Sequence, residues 1–158
     1  MRVCFDTNVV IDIAGKTDWF LDSYASYDIA LMRKFDTYIT AASTTDIVYV
    51  LHRRGMSTKE SNAQLPSLFF MFDVLDVTES DCRQAYENEM KDYEDALVAE
   101  CCARNNVDII VTRNKKDFAH SPVPALTPRE FIEAYKPENV SYDMVDFLRP
   151  ASRGDANA

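Results

Sequence analysis

The sequence is poor in the residues that most covalent and zinc centres need. It has two histidines, His52 and His120, and four cysteines, Cys4, Cys82, Cys101 and Cys102, with no C-x-x-C spacing. That argues against a structural zinc site. The cysteines read as buried or half-buried thiols in a reducing compartment. Neither residue type is placed to serve as a nucleophile. No run of 18 apolar residues occurs, so no membrane span is read, and the apolar part of MRVCFDTN is too short for a signal peptide. The expectation is a cytoplasmic protein. Cations are also scarce, with 17 Lys and Arg against 26 Asp and Glu and a net charge of −9. This argues against a protein that coats nucleic acid non-specifically, because phosphate contacts need Lys and Arg. It leaves room for a local basic patch, and a carboxylate cluster that loads divalent cations would contribute to the same negative sum. Internal repeats and low-complexity segments are absent.

What remains is an ordinary globular composition, 47% apolar and 27% charged, in a chain of 158 residues that is long enough for one domain with a core. A strand is expected at 2–6, then a short helix capped by Asn8 and stopped by Gly15. Residues 18–34 read as helix and TYIT (37–40) as strand. Ser43 is expected to open a helix that Gly55 ends. A helix over 57–70 carries Pro66 as a break or kink. FDVLDV (72–77) alternates as a strand does, and two helices follow at 78–89 and 92–105. VDIIVT (107–112) is the clearest buried strand. VPAL (123–126) reads as a last strand, followed by a helix with Thr127 as N-cap and Pro128 at its first position. Strands alternating with helices predict an α/β domain with a largely parallel sheet over 1–135. Residues 136–158 form an extension, in which 140–148 reads as able to dock on a surface and 149–158 as disordered.

VCFDTNVVIDI (3–13) poses the functional question, because Asp6 stands where a buried strand stops. In parallel α/β sheets ligands bind beyond the carboxyl ends of the strands. Alone, Asp6 reads as an ordinary turn or cap acid before a helix. Further acids fall at comparable places. Asp46 sits near a helix start, where Ser43-x-x-Asp46 also fits a capping box. Asp92, Glu94 and Asp95 crowd another helix start, a position the helix dipole favours for acids. Three acids in four residues exceed what a cap needs, and a divalent cation would relieve their repulsion. Thr112, Arg113, Asn114 and Asp117 follow the best strand, and Asn and Asp supply hard oxygen donors suited to Mg²⁺ or Mn²⁺.

In order, these stretches are Asp6-Thr7-Asn8, Thr44-Thr45-Asp46, Asp92-x-x-Asp95-Ala96-Leu97 and Ile110-Val111-Thr112-Arg113-Asn114-x-x-Asp117-Phe118. Together they resemble the PIN domain, most closely its bacterial branch of VapC-type toxins, over residues 1–134. The resemblance implies a three-layer α/β/α fold around a mostly parallel sheet of about five strands. It also implies a Mg²⁺- or Mn²⁺-dependent ribonuclease. By position, Asp6, Asp46 and Asp95 match the family's central acids and metal ligands. The second is commonly Glu and is Asp46 here, and the fourth acidic slot holds Asn114. Asn8 and Thr112 match supporting positions, while Asp92 and Asp117 are additional acids at the rim. The resemblance further implies an RNA substrate, an antitoxin partner and a homodimer. Arg113, Lys115 and Lys116 are the candidate phosphate contacts, with Arg53 and Arg54 as further candidates. Leu65, Leu68, Phe69, Phe70 and Met71 are the candidate partner surface, with core burial as the alternative. Stacking of a base on Trp19 or a tyrosine is a further option, with core or surface packing as the favoured use of those rings.

Two other strand-end-Asp families fit less well. A haloacid dehalogenase needs Asp-x-Asp, and position 8 is Asn. A receiver domain needs paired early acids and a strand-end Lys, which are not found. A catalytically silent PIN-like module that binds RNA or protein is the non-enzyme alternative.

Overall fold

A computed structural model of the chain describes residues 1–140. At its centre lies β1 (Arg2–Phe5), in which Val3, Cys4 and Phe5 are wholly buried. A strand buried on both faces belongs inside a parallel sheet. The remaining elements are α1 (Thr7–Gly15), α2 (Phe20–Met32), β2 (Asp36–Thr40), α3 (Ala41–Arg53), α4 (Thr58–Asn62), α5 (Leu65–Met71), β3 (Asp73–Leu75), α6 (Glu79–Glu87), α7 (Tyr93–Arg104), β4 (Ile109–Val111), β5 (Ala125–Leu126) and α8 (Pro128–Tyr135). The five strands are all parallel, in the order β3-β2-β1-β4-β5. This is the expected α/β architecture.

Strand side chains alternate between two cores, as the period of two requires. Val3, Phe5, Ile39, Ile109 and Val111 pack with residues of α1, α2, α3, α5 and α8. Cys4, Tyr38, Leu75 and Ile110 pack with α6 and α7. Phe5 meets the rings of Tyr27, Phe72 and Phe131, with centroids 6.0, 5.4 and 6.5 Å away. The sheet is therefore sandwiched between helical layers. Strand order reverses at β1, between β2 on one side and β4 on the other, and Phe5 is in register with Val111. The residues that follow, Asp6 and Thr112, consequently emerge side by side at the switch point where open α/β sheets place their ligands.

Local details depart from the sequence reading. Asp6, not Asn8, is the N-cap position of α1, and its side chain makes no capping bond. The helix expected from Ser43 starts at Ala41, because the Thr40 hydroxyl accepts from the Ser43 backbone N–H at 3.1 Å. Asp46 thus lies in the second turn, outside any capping box. Residues 57–70 form two helices, and Pro66 stands at the start of α5, where its missing N–H costs nothing. Of the five apolar residues assigned to a partner surface, Leu68 is buried, and Leu65 and Met71 pack partly buried on the core. Phe69 and Phe70 are exposed. No helix among the described residues is long and apolar enough to cross a membrane. The 136–158 extension lies outside the described residues from position 141 on.

Candidate active site

Asp6 is 3% exposed at the mouth of the sheet. Its Oδ2 accepts from Thr112 Oγ1 at 2.7 Å and from Asn8 Nδ2. Thr112 Oγ1 in turn accepts from Asn8 Nδ2 at 3.1 Å and from the Asn114 backbone N–H at 3.0 Å. Asn8 Oδ1 accepts from the Arg113 backbone N–H at 3.0 Å. One closed network therefore ties the start of α1 to the loop after β4. Burial pushes the Asp6 carboxyl up to about 6, although Thr112, the Thr7 backbone, Arg113 and Asn8 all favour its ionised form.

Helix α7 brings the other acids. Asp92 is its N-cap, with Oδ1 accepting from the Glu94 and Asp95 backbone N–H groups at 2.8 and 3.3 Å. That gives the extra acid noted in the sequence a structural role. With the cap supplied by Asp92, the side chains of Glu94 and Asp95 are left to face the groove. Asp95 is pushed up to about 7 by burial first, then by the charges of Asp6, Asp92, Asp117 and Glu94. Glu94 is raised by burial and by Asp46, Asp92 and Asp6. Asp46, half-buried on α3, is raised by burial and hydrogen-bonded to Glu94. Carboxyls from β1, α3, α7 and the β4 loop thus share one electrostatic neighbourhood.

A cavity of about 450 Å³ is lined by Asp6, Thr7, Asn8, Glu94, Asp95 and Asn114, with Asp92, Asp117, Ile11 and Lys91 completing its wall. Asp46 does not line it, whereas its neighbour Glu94 does. Thr7, Ile11, Lys91 and Glu94 are the groove residues to which the sequence assigned no site role. The acidic run around Asp92 was the available signal for Glu94. Among the described residues, no three acid, His or Cys side chains converge tightly enough to ligate one ion by themselves.

The candidate phosphate contacts divide. Arg113 Nε lies 3.0 Å from Oδ2 of the fully buried Asp12, and its guanidinium sits 5.7 Å from the Trp19 ring centre. It is a fixed structural cation, partly exposed, and not a free arm. Lys115 pairs with Glu130 at 2.7 Å. Lys116 is exposed beside the groove. Arg53 is exposed at the end of α3, near Tyr49, and Arg54 caps that helix.

The family model for the PIN domain matches residues 2–116. The chain belongs to the PIN domain family. No curated protein matches the sequence. Among solved structures, this PIN domain resembles VapBC2 from Rickettsia felis bound to a promoter DNA fragment. The identity is 15% and the TM-score 0.64, over 80% of this chain and 98% of that one. It also resembles VapBC-1 from nontypeable Haemophilus influenzae, with 16% identity and a TM-score of 0.61 over 82% and 99% of the two chains. A third is a toxin-antitoxin complex from Klebsiella pneumoniae, with 17% identity and a TM-score of 0.58 over 80% and 97%. At these identities the likeness establishes the fold.

Proposed function

We propose that this PIN domain is a Mg²⁺- or Mn²⁺-dependent endoribonuclease and the toxin of a type II toxin–antitoxin pair. The observation that supports it is the convergence of Asp6, Glu94 and Asp95, backed by Asp46, on one open groove at the sheet's switch point. The family's members are generally nucleases, and the structural neighbours are toxin-antitoxin assemblies.

The donors fit a hard cation. All are oxygens, and Thr7, whose buried hydroxyl has no hydrogen-bond partner, is among the residues that line the groove. Mg²⁺ keeps several waters and takes one or two carboxylates directly, so three converging acids are not required. Asp6 and Asp95 would hold the ion, with Asp46, Glu94 and Asn114 orienting its waters. The bound ion supplies an acidified water and neutralises phosphate charge. The chain's own residues do the rest. Thr112 and Asn8 fix the Asp6 carboxylate in one orientation. Glu94 and Asp46, both raised by burial, form the second rank of the acidic wall. Asn114, neutral where the family carries an acid, lowers the repulsion that an approaching phosphate meets. Lys91 and Lys116 are the mobile cations nearest that phosphate.

Phe69 and Phe70, exposed on α5, form the proposed surface for an antitoxin segment or a second copy.

Purified protein should cleave single-stranded RNA with Mg²⁺ or Mn²⁺ and stop on addition of EDTA. Asp6→Asn and Asp95→Asn should each abolish cleavage while circular dichroism stays native. Normal cleavage by these variants would sink the assignment. The Asn114 substitution favours one rival, a silent RNA- or protein-binding module. That rival wins if the wild type binds RNA and cuts none with any divalent metal.

A further inference from the structure

A second cavity, of about 360 Å³, adjoins the acidic groove and shares Asn114 with it. Its volume lies within the usual range of about 300–1,000 Å³ for small-ligand sites. Its wall includes Trp19, Ser23, Arg113, Pro128 and Arg129, and its lining is mostly apolar. Trp19 is the sole tryptophan of the chain and is 53% exposed, so its ring is not spent on the core. Both arginines are held by acids, Arg113 by Asp12 and Arg129 by Asp22, each at 3.0 Å. These ion pairs keep both guanidinium groups beside the cavity, with side chains 27% and 55% exposed. The loop that carries Arg113 and Asn114 is pinned to the catalytic wall through Asn8 and Thr112. An aromatic ring, two planar cations and an amide around an apolar cavity are the groups that hold an unstacked base.

Charge also favours a base-directed contact. At a net charge of −9 the phosphate backbone contributes only through local cations, which gives base contacts more weight in holding a nucleic acid. We propose that this cavity receives one nucleobase of the RNA next to the phosphate in the acidic groove. Trp19 is its stacking platform, and the Asn114 amide and Arg129 meet the base edge. Trp19 is thereby a specificity-determining residue. The proposal rests on the ribonuclease reading for its substrate, and its test separates the two.

Because Trp19 is the only tryptophan, its fluorescence reports the cavity directly. The full-length protein is titrated with a short single-stranded RNA of mixed sequence in Ca²⁺, and cleavage sites are mapped separately in Mg²⁺. RNA should quench Trp19, and the same RNA made abasic throughout should not. Trp19→Ala should weaken RNA binding by about 10-fold or more, the scale of one lost base stack. It should also flatten the choice of cleavage site, and Trp19→Phe should restore much of both. Metal-dependent cleavage with no quenching, and an unchanged site pattern in Trp19→Ala, would overturn the base site and leave the nuclease reading intact. Quenching without cleavage would support the base site and overturn the nuclease reading. Neither quenching nor cleavage would overturn both.

Discussion

The hydroxyl of Thr112 donates to the carboxylate of Asp6 at 2.7 Å, across 106 positions of sequence. The bond joins the ends of β1 and β4 and sets how the most buried acid of the site is presented. Three predictions concern this wall and the scaffold behind it.

Thr112→Val keeps shape and removes the donor. Asp6 then loses its hydroxyl donor, and the Asn8 amide and Asn114 N–H lose an acceptor. A hydrogen bond to a charged group contributes about 1.5–3 kcal/mol. RNA cleavage should therefore fall by about 10- to 100-fold in kcat/KM. Thr112→Ser should recover most of it. Wild-type rates in the valine variant would show that Asp6 needs no such orientation.

Asp95 stands among Asp6, Asp92, Glu94 and Asp117, all of like charge. Asp95→Asn removes one member of that crowd. In metal-free buffer at pH 8 its melting temperature should exceed the wild type's by about 2–4 °C. Added MgCl₂ should raise the wild-type Tm, since the ion binds only the folded state, and raise the variant's less. Calorimetry with and without EDTA reads both. A variant that melts lower without metal and responds equally to Mg²⁺ would contradict this account.

Within the α6–α7 layer, the buried Asp81 accepts from Arg104 Nε at 2.8 Å and from the Thr78 backbone N–H, also at 2.8 Å. Burial raises the Asp81 pKa, but the bonds from Arg104 and Thr78 outweigh it, and the net shift is downward. A carboxyl depressed on folding stabilises the native state above its unfolded pKa of about 3.9 and loses that contribution as pH falls through the lower folded value. Asp81→Asn should destabilise by about 1–3 kcal/mol at pH 7. This is below the cost for a wholly buried pair, because Arg104 stays one-third exposed. Urea unfolding should show the gap between variant and wild type closing as pH drops below about 4. A gap that is constant with pH would mean that Asp81 acts through packing alone.

Much of the fold was legible in linear order, because apolar periodicity is a local property. The continuous run IIV and the apolar run Val3-Cys4-Phe5 marked central strands, and Thr127-Pro128 marked the start of α8. Helix starts were read less well wherever two capping residues competed. Thr40 outcompeted Ser43, and Asp6 took the cap position assigned to Asn8, since the last strand residue fixes where the backbone first turns helical. The roles within the acidic run around Asp92 were not legible either. One of those acids had to satisfy the backbone, and only coordinates show that Asp92 does so, leaving Glu94 and Asp95 for the groove.

By itself the sequence determined an α/β domain with acids at strand and helix ends, because those features follow from side-chain period and end chemistry within a few residues. Tertiary structure alone decided that Asp6 meets Thr112, that Glu94 neighbours Asp46, that Arg113 is anchored on Asp12, and that Trp19 is left facing a cavity. Those relations depend on which strands pair and in what register. The pairing of β1 with β4 is settled by burial over the whole sheet and by no local stretch of the chain.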